Sequence, residues 1–423
     1  MTQTPPVEAD APSTPSDLQD ERLIRPTGFR ENINAQIKRV RTGDLGSLPV
    51  IIGLLIIFVI FQILNSAFLG PQNLHDLLSG AVAIGVTSIG VVLVLLLGQI
   101  DLSIGSMAGV SSAIFGILLT QAHWPEWLII IAALVAGALV GLLYGFLFVR
   151  FGVPSFVITL AGLLALLGLQ LFILGAHGTI NIQFTSFLVE FSLLNAIPTW
   201  LGLVLVVVAA VGYTVPALLS ARKRTAAGLS APRSPGIIIR GAVLLVALAA
   251  VVLYLGTGGD TAGIEDSFVM FVILIVIMNY VLTRTRWGRS VYAVGGNVEA
   301  ARRAGIRVNR VYVAVFVLSS TFAALGGLLY AGHLGSAGLD SGSGDFNLDA
   351  IAAAVIGGTS LFGGRGSAWS ALLGILVIWS IASGLGLLSL DSSVRYMITG
   401  AVLLLAVIVD SLSRRSRAAA GRA

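Results

Sequence analysis

Long apolar runs separated by short polar connections repeat along most of the chain, and no short alternating strands interrupt them. Runs such as "VIIGLLIIFVIFQILNSAFL" and "GAVLLVALAAVVLYLG" approach or exceed the roughly 20 apolar residues that cross a bilayer core as helix. In lipid every backbone polar group must be paired within its own segment or in a closed barrel, so the runs predict helices. Spans are expected near 47–68, 77–99, 101–120, 125–149, 154–175, 198–219, 239–256, 267–283, 310–332, 349–364, 368–388 and 394–412. The fold class is therefore all-α, a polytopic membrane protein of about twelve transmembrane helices.

Composition sharpens this picture. Hydrophobic residues make up 56% of the 423 and charged residues 11%, against roughly 25% charged in a soluble domain. The 50 glycines exceed a soluble average of about 7% and predict close helix contacts with some helices broken. Cysteine is absent, which excludes disulfides, thiolate metal sites and a cysteine nucleophile.

The net charge of +5 does not point to nucleic acid, because the basic residues stand at the ends of apolar runs and report orientation. Arg150, the group Arg222, Lys223, Arg224, Arg233 and Arg240, the stretch 288–310, Arg365, and Arg414, Arg415 and Arg417 fall on one side of the expected topology. His75, Glu126, Glu190, Asp260, Glu265, Asp266, Asp340, Asp345 and Asp391 fall on the other. Both termini are then cytoplasmic. Residues 1–45 are polar, lack the apolar core of a signal peptide, and are expected to form a disordered cytoplasmic tail. Residues 46–413 form the membrane domain and 414–423 a basic cytoplasmic tail.

The stretch "GRSVYAVGGNVEAARRAGIRVNR" at 288–310 has the local chemistry of a short cytoplasmic helix. Asn297 suits the N-cap, Glu299 the first turn, Arg302 and Arg303 the last turn, and Gly305 the C′ position. Glu299 and Arg303 are spaced to pair, with Ala300, Ala301 and Ala304 on the other face. An isolated helix of about seven residues does not hold in water. Either it rests on its own membrane domain, or its small-residue face docks into a partner.

That stretch closely resembles the coupling segment of sugar permeases in ATP-binding cassette importers of the ribose and xylose type. "GQIDLSIGS" at 98–106, with Gln99 in place of the usual second glycine, "VPSFVITLAGL" at 153–163 and "LDAIAAAVIGGTSLFGGRGS" at 348–367 resemble further elements of that family. The pair of spans at 197–265 is longer than in ribose-type permeases and looks like the xylose-type variants. The resemblance implies a non-enzymatic transport subunit in the cytoplasmic membrane of a bacterium. Its partners would be a separate ATPase, an extracytoplasmic sugar-binding protein, a second permease copy and membrane lipid, and its cargo a monosaccharide, with the extra spans directing the expectation to a pentose such as xylose. Gly295, Gly296, Asn297, Glu299, Ala300, Ala301, Ala304 and Gly305 would couple to the ATPase.

Other polar residues fit that division of labour. The only lysines, Lys38 and Lys223, do not follow glycine, so the P-loop signature is missing. Asp101 with Ser103 and Ser106 either lines the translocation path or caps the following helix. Gln99, Ser155, Thr159 and Thr359 complete the candidate path, and "GGTSLFGGRGS" is either a cavity-lining turn or a tight loop. His75, His123, His177 and His333 lack ligand spacing, so neither a metal nor a cofactor is expected. A branched-chain amino acid permease of the same superfamily and a secondary sugar transporter are the alternatives. "GGNVEAA" and "GGTSLFGGRGS" favour sugar, and the acidic residues at span ends disfavour ion coupling.

Overall fold

Glycine, proline or a polar cap sets the ends of the helices into which the apolar runs fold. Pro71 opens one helix, Gly152 at φ 67° closes another, and Pro154 precedes the next. The computed structural model describes residues 48–259 and 263–419, and the expected tail at 1–45 lies outside the described residues. The helices are α1 (Leu48–Leu64), α2 (Pro71–Leu96), α3 (Ile104–Thr120), α4 (Glu126–Phe151), α5 (Ser155–Leu174), α6 (Thr199–Ala226), α7 (Ser234–Leu255), α8 (Asp266–Arg284), α9 (Arg286–Gly296), α10 (Val298–Arg303), α11 (Val308–Leu334), α12 (Asp345–Ile356), α13 (Trp369–Leu387) and α14 (Ser392–Ala419).

Each of the twelve expected stretches overlaps one of these helices. Among the described residues eight are long and apolar enough to cross a membrane: α2, α4, α5, α6, α7, α8, α11 and α13. The stretch expected to span at 349–364 is different. Its helix, α12, has 12 residues, roughly 18 Å, well short of a bilayer core of about 30 Å. It stops where Gly357 and Gly358 begin a glycine-rich turn, Gly358 at φ 101°. α14 runs on as helix through the start of the expected basic tail, to Ala419.

The described chain divides into two compact units, a larger one of Leu45–Pro198 with Leu255–Arg415, and a smaller one built on Thr199–Tyr254. In the larger unit α11 is central and packs on α2, α3 and α4. α2 is enclosed on all sides, buried without interruption from Ser79 to Leu96, which is why it is apolar all round rather than amphipathic. α4 approaches α11 along Gly137, Gly141 and Gly145, one per helical turn. A Cβ at Gly137 would stand 2.6 Å from the Ser320 oxygen and one at Gly145 2.7 Å from the Val313 Cα, while one at Gly141 would strike the Phe316 carbonyl. These glycines let two backbones touch, as small residues do where lipid supplies no hydrophobic driving force between helices.

Two short antiparallel pairs tie loops together: Ile180–Asn181 with Ser336–Ala337, and Ala196–Ile197 with Ile264–Glu265. The smaller unit is a helical hairpin in which Gly241 of α7 lies against Thr214 of α6 and the Arg224 Nε donates to the Ser230 carbonyl at 2.8 Å. It occupies the stretch expected to hold the extra pair of spans.

Glu265 ends the second pair with 1% of its surface exposed, its Oε1 lying 3.1 Å from the His75 Nδ1. Burial pushes its carboxyl up to about 8. The folded chain therefore binds a proton there that the unfolded chain releases near pH 4 to 5, and stability falls as pH rises through the window from about 5 to 8.

Two measurements check this packing. Gly141→Leu should lower the unfolding temperature in detergent by roughly 5 °C or more through overpacking, whereas Gly168→Leu, with nothing within 4 Å of its Cβ position, should leave it unchanged. Glu265→Gln should flatten the decline of unfolding temperature between about pH 5 and 8, because an amide has no proton to lose there.

Candidate functional site

The stretch at 288–310 folds as two helices, not one. Thr285 caps α9, its Oγ1 accepting from the Gly288 amide at 3.1 Å, and Gly288, Val291 and Val294 turn into the protein. The sequence signal for α9 is weak because two valines and three glycines lower its helix propensity. Asn297 then ends α9 and caps α10, its Oδ1 accepting from the Ala300 amide at 2.9 Å. Gly305 takes the left-handed conformation at φ 80°, which a C′ residue needs, and the Ile306 amide returns to the Ala301 carbonyl at 3.1 Å.

Three details differ from expectation. Glu299 pairs with Arg302 at 3.1 Å, one residue short of Arg303. Ala301 is 3% exposed and belongs to the chain's own core, while Ala300 and Ala304 are exposed. The rotation of about 100° per helical residue puts Ala300 and Ala304 on one face and turns Ala301 away from it. Gly295 also faces inward, whereas Gly296, Asn297 and Glu299 are exposed.

Gly295 marks a three-way junction of backbones. A Cβ there would strike the Leu96 carbonyl at the end of α2 and stand 2.8 Å from the Gly364 amide. That same carbonyl accepts a hydrogen bond from the Gly364 amide at 2.8 Å. The Tyr292 Oη donates to the Gly366 carbonyl at 2.8 Å, and a Cβ on Gly98 would lie 3.3 Å from the Phe362 oxygen. The segments 98–106, 288–305 and 357–367, far apart in sequence, therefore meet at one place. Thr359 sits in the third of them, 2% exposed.

Beyond Gly98 the chain has no regular secondary structure until α3 starts at Ile104. Asp101 holds this break: its Oδ1 accepts from the Ser103 amide at 2.9 Å and the Ser103 hydroxyl at 2.7 Å, and its Oδ2 lies 3.4 Å from the Ser319 Oγ. Ser155 and Thr159, at the start of α5, grip the same stretch, the Ile100 amide donating to the Ser155 Oγ at 3.4 Å and the Thr159 Oγ1 donating to the Ile100 carbonyl at 3.4 Å. Asp101, Ser103, Ser106, Ser155 and Thr159 are buried at 3%, 1%, 9%, 5% and 0% exposure, so in this conformation they are packed rather than set along an open passage. Gln99 is half-buried beside them, its Nε2 3.5 Å from the Leu97 carbonyl.

The start of α12 is a second break lying on the first. Gly342 and Gly344 are left-handed at φ 76° and 58°, a Cβ on Gly105 would strike the Gly342 carbonyl, and the Asn347 Nδ2 donates to the Leu102 carbonyl at 2.9 Å. Gln170, buried near the C-terminal end of α5, pins the turns before α12, its Nε2 donating to the carbonyls of Gly338 at 2.9 Å and Ser341 at 3.1 Å. Sequence reasoning passed over Gln170, although a lone carboxamide in "LLALLGLQLFIL" is the kind of intramembrane polar residue that calls for a partner. Among the described residues no group of three or more His, Asp or Glu is placed to hold a metal ion.

The junction makes a sharp expectation. Gly295→Ala should reduce transport at least tenfold and loosen the packing of α9, because the added methyl has no room against the Leu96 carbonyl, while Gly296→Ala, whose Cβ position is open, should act like the unmodified chain. Ala301→Trp should fail at the folding step and lower the yield of folded protein, as expected for overpacking a buried position.

Comparison with known proteins places this architecture. The xylose transport system permease protein of Escherichia coli is 34% identical over 351 residues, covering 83% of this chain and 88% of that protein. The fructose import permease protein of Rhizobium meliloti is 30% identical, covering 87% of this chain and 86% of its own length. The ribose import permease protein of Bacillus subtilis is 30% identical, covering 90% of this chain and 98% of its own. No solved structure matches. The family model described as the branched-chain amino acid transport system permease component matches residues 73–407, which include both broken segments, α9 and α10, and the chain belongs to that family of multi-pass membrane permeases.

Proposed function

We propose that the chain is the membrane-spanning subunit of an ATP-binding cassette importer that carries a monosaccharide, a pentose such as xylose, across the cytoplasmic membrane of a bacterium. The observation that carries the reading is the backbone junction at Gly295, through which α9 meets the end of α2 and the turn after α12 at once. The sugar relatives and the order of the motifs support the choice of cargo. The cytoplasmic placement of both termini and of α9–α10 follows from the distribution of Arg and Lys.

A separate ATPase subunit docks on the exposed face of α10 made by Ala300 and Ala304, with Gly296, Asn297 and Glu299 beside it. A movement imposed there passes through Gly295 and Gly364 to the start of α3 and the end of α12. Asp101, Ser103, Ser106, Ser155 and Thr159, with Gln99, hold the broken start of α3, and Thr359 holds the turn after α12. An extracytoplasmic sugar-binding protein delivers the cargo, and a second copy of the chain completes the path, since one coupling segment per chain serves a two-fold motor only as a pair.

Ala304→Trp tests this reading, because a bulky side chain on the docking face leaves the membrane core untouched. Uptake of xylose into vesicles should fall at least tenfold, and less ATPase should co-purify, while the yield and unfolding temperature of the permease stay the same. Wild-type ATPase association together with wild-type uptake in this variant would remove α10 from the interface.

A further inference from the structure

A cavity of about 40 Å³ lies between α12, α13 and α14, lined by Asp349, Ile378, Trp379, Ala382, Tyr396 and Thr399. The walls combine a carboxylate, a phenol, a hydroxyl and an indole with two aliphatic surfaces. That is the mixture that recognises a sugar: a carboxylate accepts from two hydroxyls at once, and an aromatic body covers the apolar C–H edge of the ring. Small-ligand sites elsewhere follow the same plan, mostly apolar with a few convergent polar groups.

Depth supports the assignment. The six-membered ring of Trp379 rests on Gly80 of α2, where a Cβ would collide with Cζ3, so the missing side chain fixes the indole. Gly80 lies nine residues into α2, roughly 14 Å along a 26-residue helix, which sets Trp379 well inside an apolar span. Asp349 is thus a carboxylate on a half-length helix within the membrane domain, and such residues mark solute paths. Tyr396 is 51% exposed and leaves the rim of the cavity accessible. The space holds about three water molecules, enough for one hydroxylated edge of a ring rather than a whole monosaccharide.

We infer that this groove is where the permease itself touches the sugar in passage, Asp349 accepting from two neighbouring ring hydroxyls and Trp379 taking the apolar edge. This rests on the importer reading and deepens it, since it moves sugar contact away from the packed turn at Asp101.

The experiment uses the complete importer reconstituted in vesicles with its ATPase and delivery protein, and D-xylose with its three monodeoxy analogues at C2, C3 and C4 as probes. Selectivity imposed by the delivery protein is common to every permease variant and cancels when the ratio of xylose uptake to analogue uptake in a variant is divided by that of the wild type. For Asp349→Asn that ratio should fall about tenfold for at least one analogue, the loss expected of one hydrogen bond to a charged group. Trp379→Leu should slow every probe about tenfold and leave the ratios alone, whereas Trp379→Phe retains most of the rate. Thr399→Val carries the same ratio test if Asp349→Asn does not reach the membrane with its ATPase. Unchanged ratios and rates within twofold of wild type in all variants, with wild-type uptake intact, overturn the groove, as they would if it held only a lipid chain. Absence of ATP-driven uptake of any probe by the wild type instead overturns the importer reading on which the groove depends.

Discussion

The Leu96 carbonyl, with a backbone amide bonded to it and a glycine pressed against it, is the contact on which the rest of the structure depends. Gly364 donates to it at 2.8 Å and Gly295 leaves no space for even a methyl group. Side chains would have kept these three backbones several ångströms apart. Because the junction consists of main chain, it leaves almost no rotameric slack between α9, the end of α2 and the turn after α12. The tight packing of interiors turns small shifts into discrete rearrangements in this way.

The same economy of side chains runs through the larger unit. α4 meets α11 at Gly137, Gly141 and Gly145, and α3 meets the segment before α12 at Gly105 and Gly342. Hydroxyl groups supply direction where glycine supplies closeness: the Ser111 Oγ donates to the Ala324 carbonyl at 2.7 Å and the Ser88 Oγ to the Ala350 carbonyl at 3.1 Å, each bridging two helices. In a lipid environment neither contact competes with water, so small and hydroxylated residues hold helices together where large apolar ones would be indifferent between protein and lipid. The unpaired backbone groups of the two broken segments are met by buried Asp101, Ser155 and Gln170 and half-buried Asn347, which is why polar residues occur in the enclosed part of an apolar protein.

Much of the stretch at 288–310 could be read directly from its residues. Asn297 caps, Gly305 is left-handed, and Glu299 finds an arginine, because caps and neighbouring pairs depend on residues within one turn. Which arginine pairs with Glu299, and which alanine faces out, depended on how α10 lies on the membrane domain. A run of three small residues does not encode that rotation. The half-length of α12 was hidden for a related reason: "LDAIAAAVIGGTSLF" is apolar enough to read as a span, and only the place where Gly357 and Gly358 turn the chain shortens it.

Membrane residence, helical class and the arrangement of charge at segment ends were determined by the sequence alone, because lipid forces backbone pairing within each segment and hydropathy records where lipid begins. Tertiary structure decided that three motifs separated by as many as 266 positions, from Gly98 to Gly364, share one junction, that Asp101 closes a turn in packed protein, and that Trp379 rests on Gly80 beside Asp349. The reason is physical: local chemistry fixes a residue's own turn, whereas contacts between distant backbones depend on every helix crossing between them.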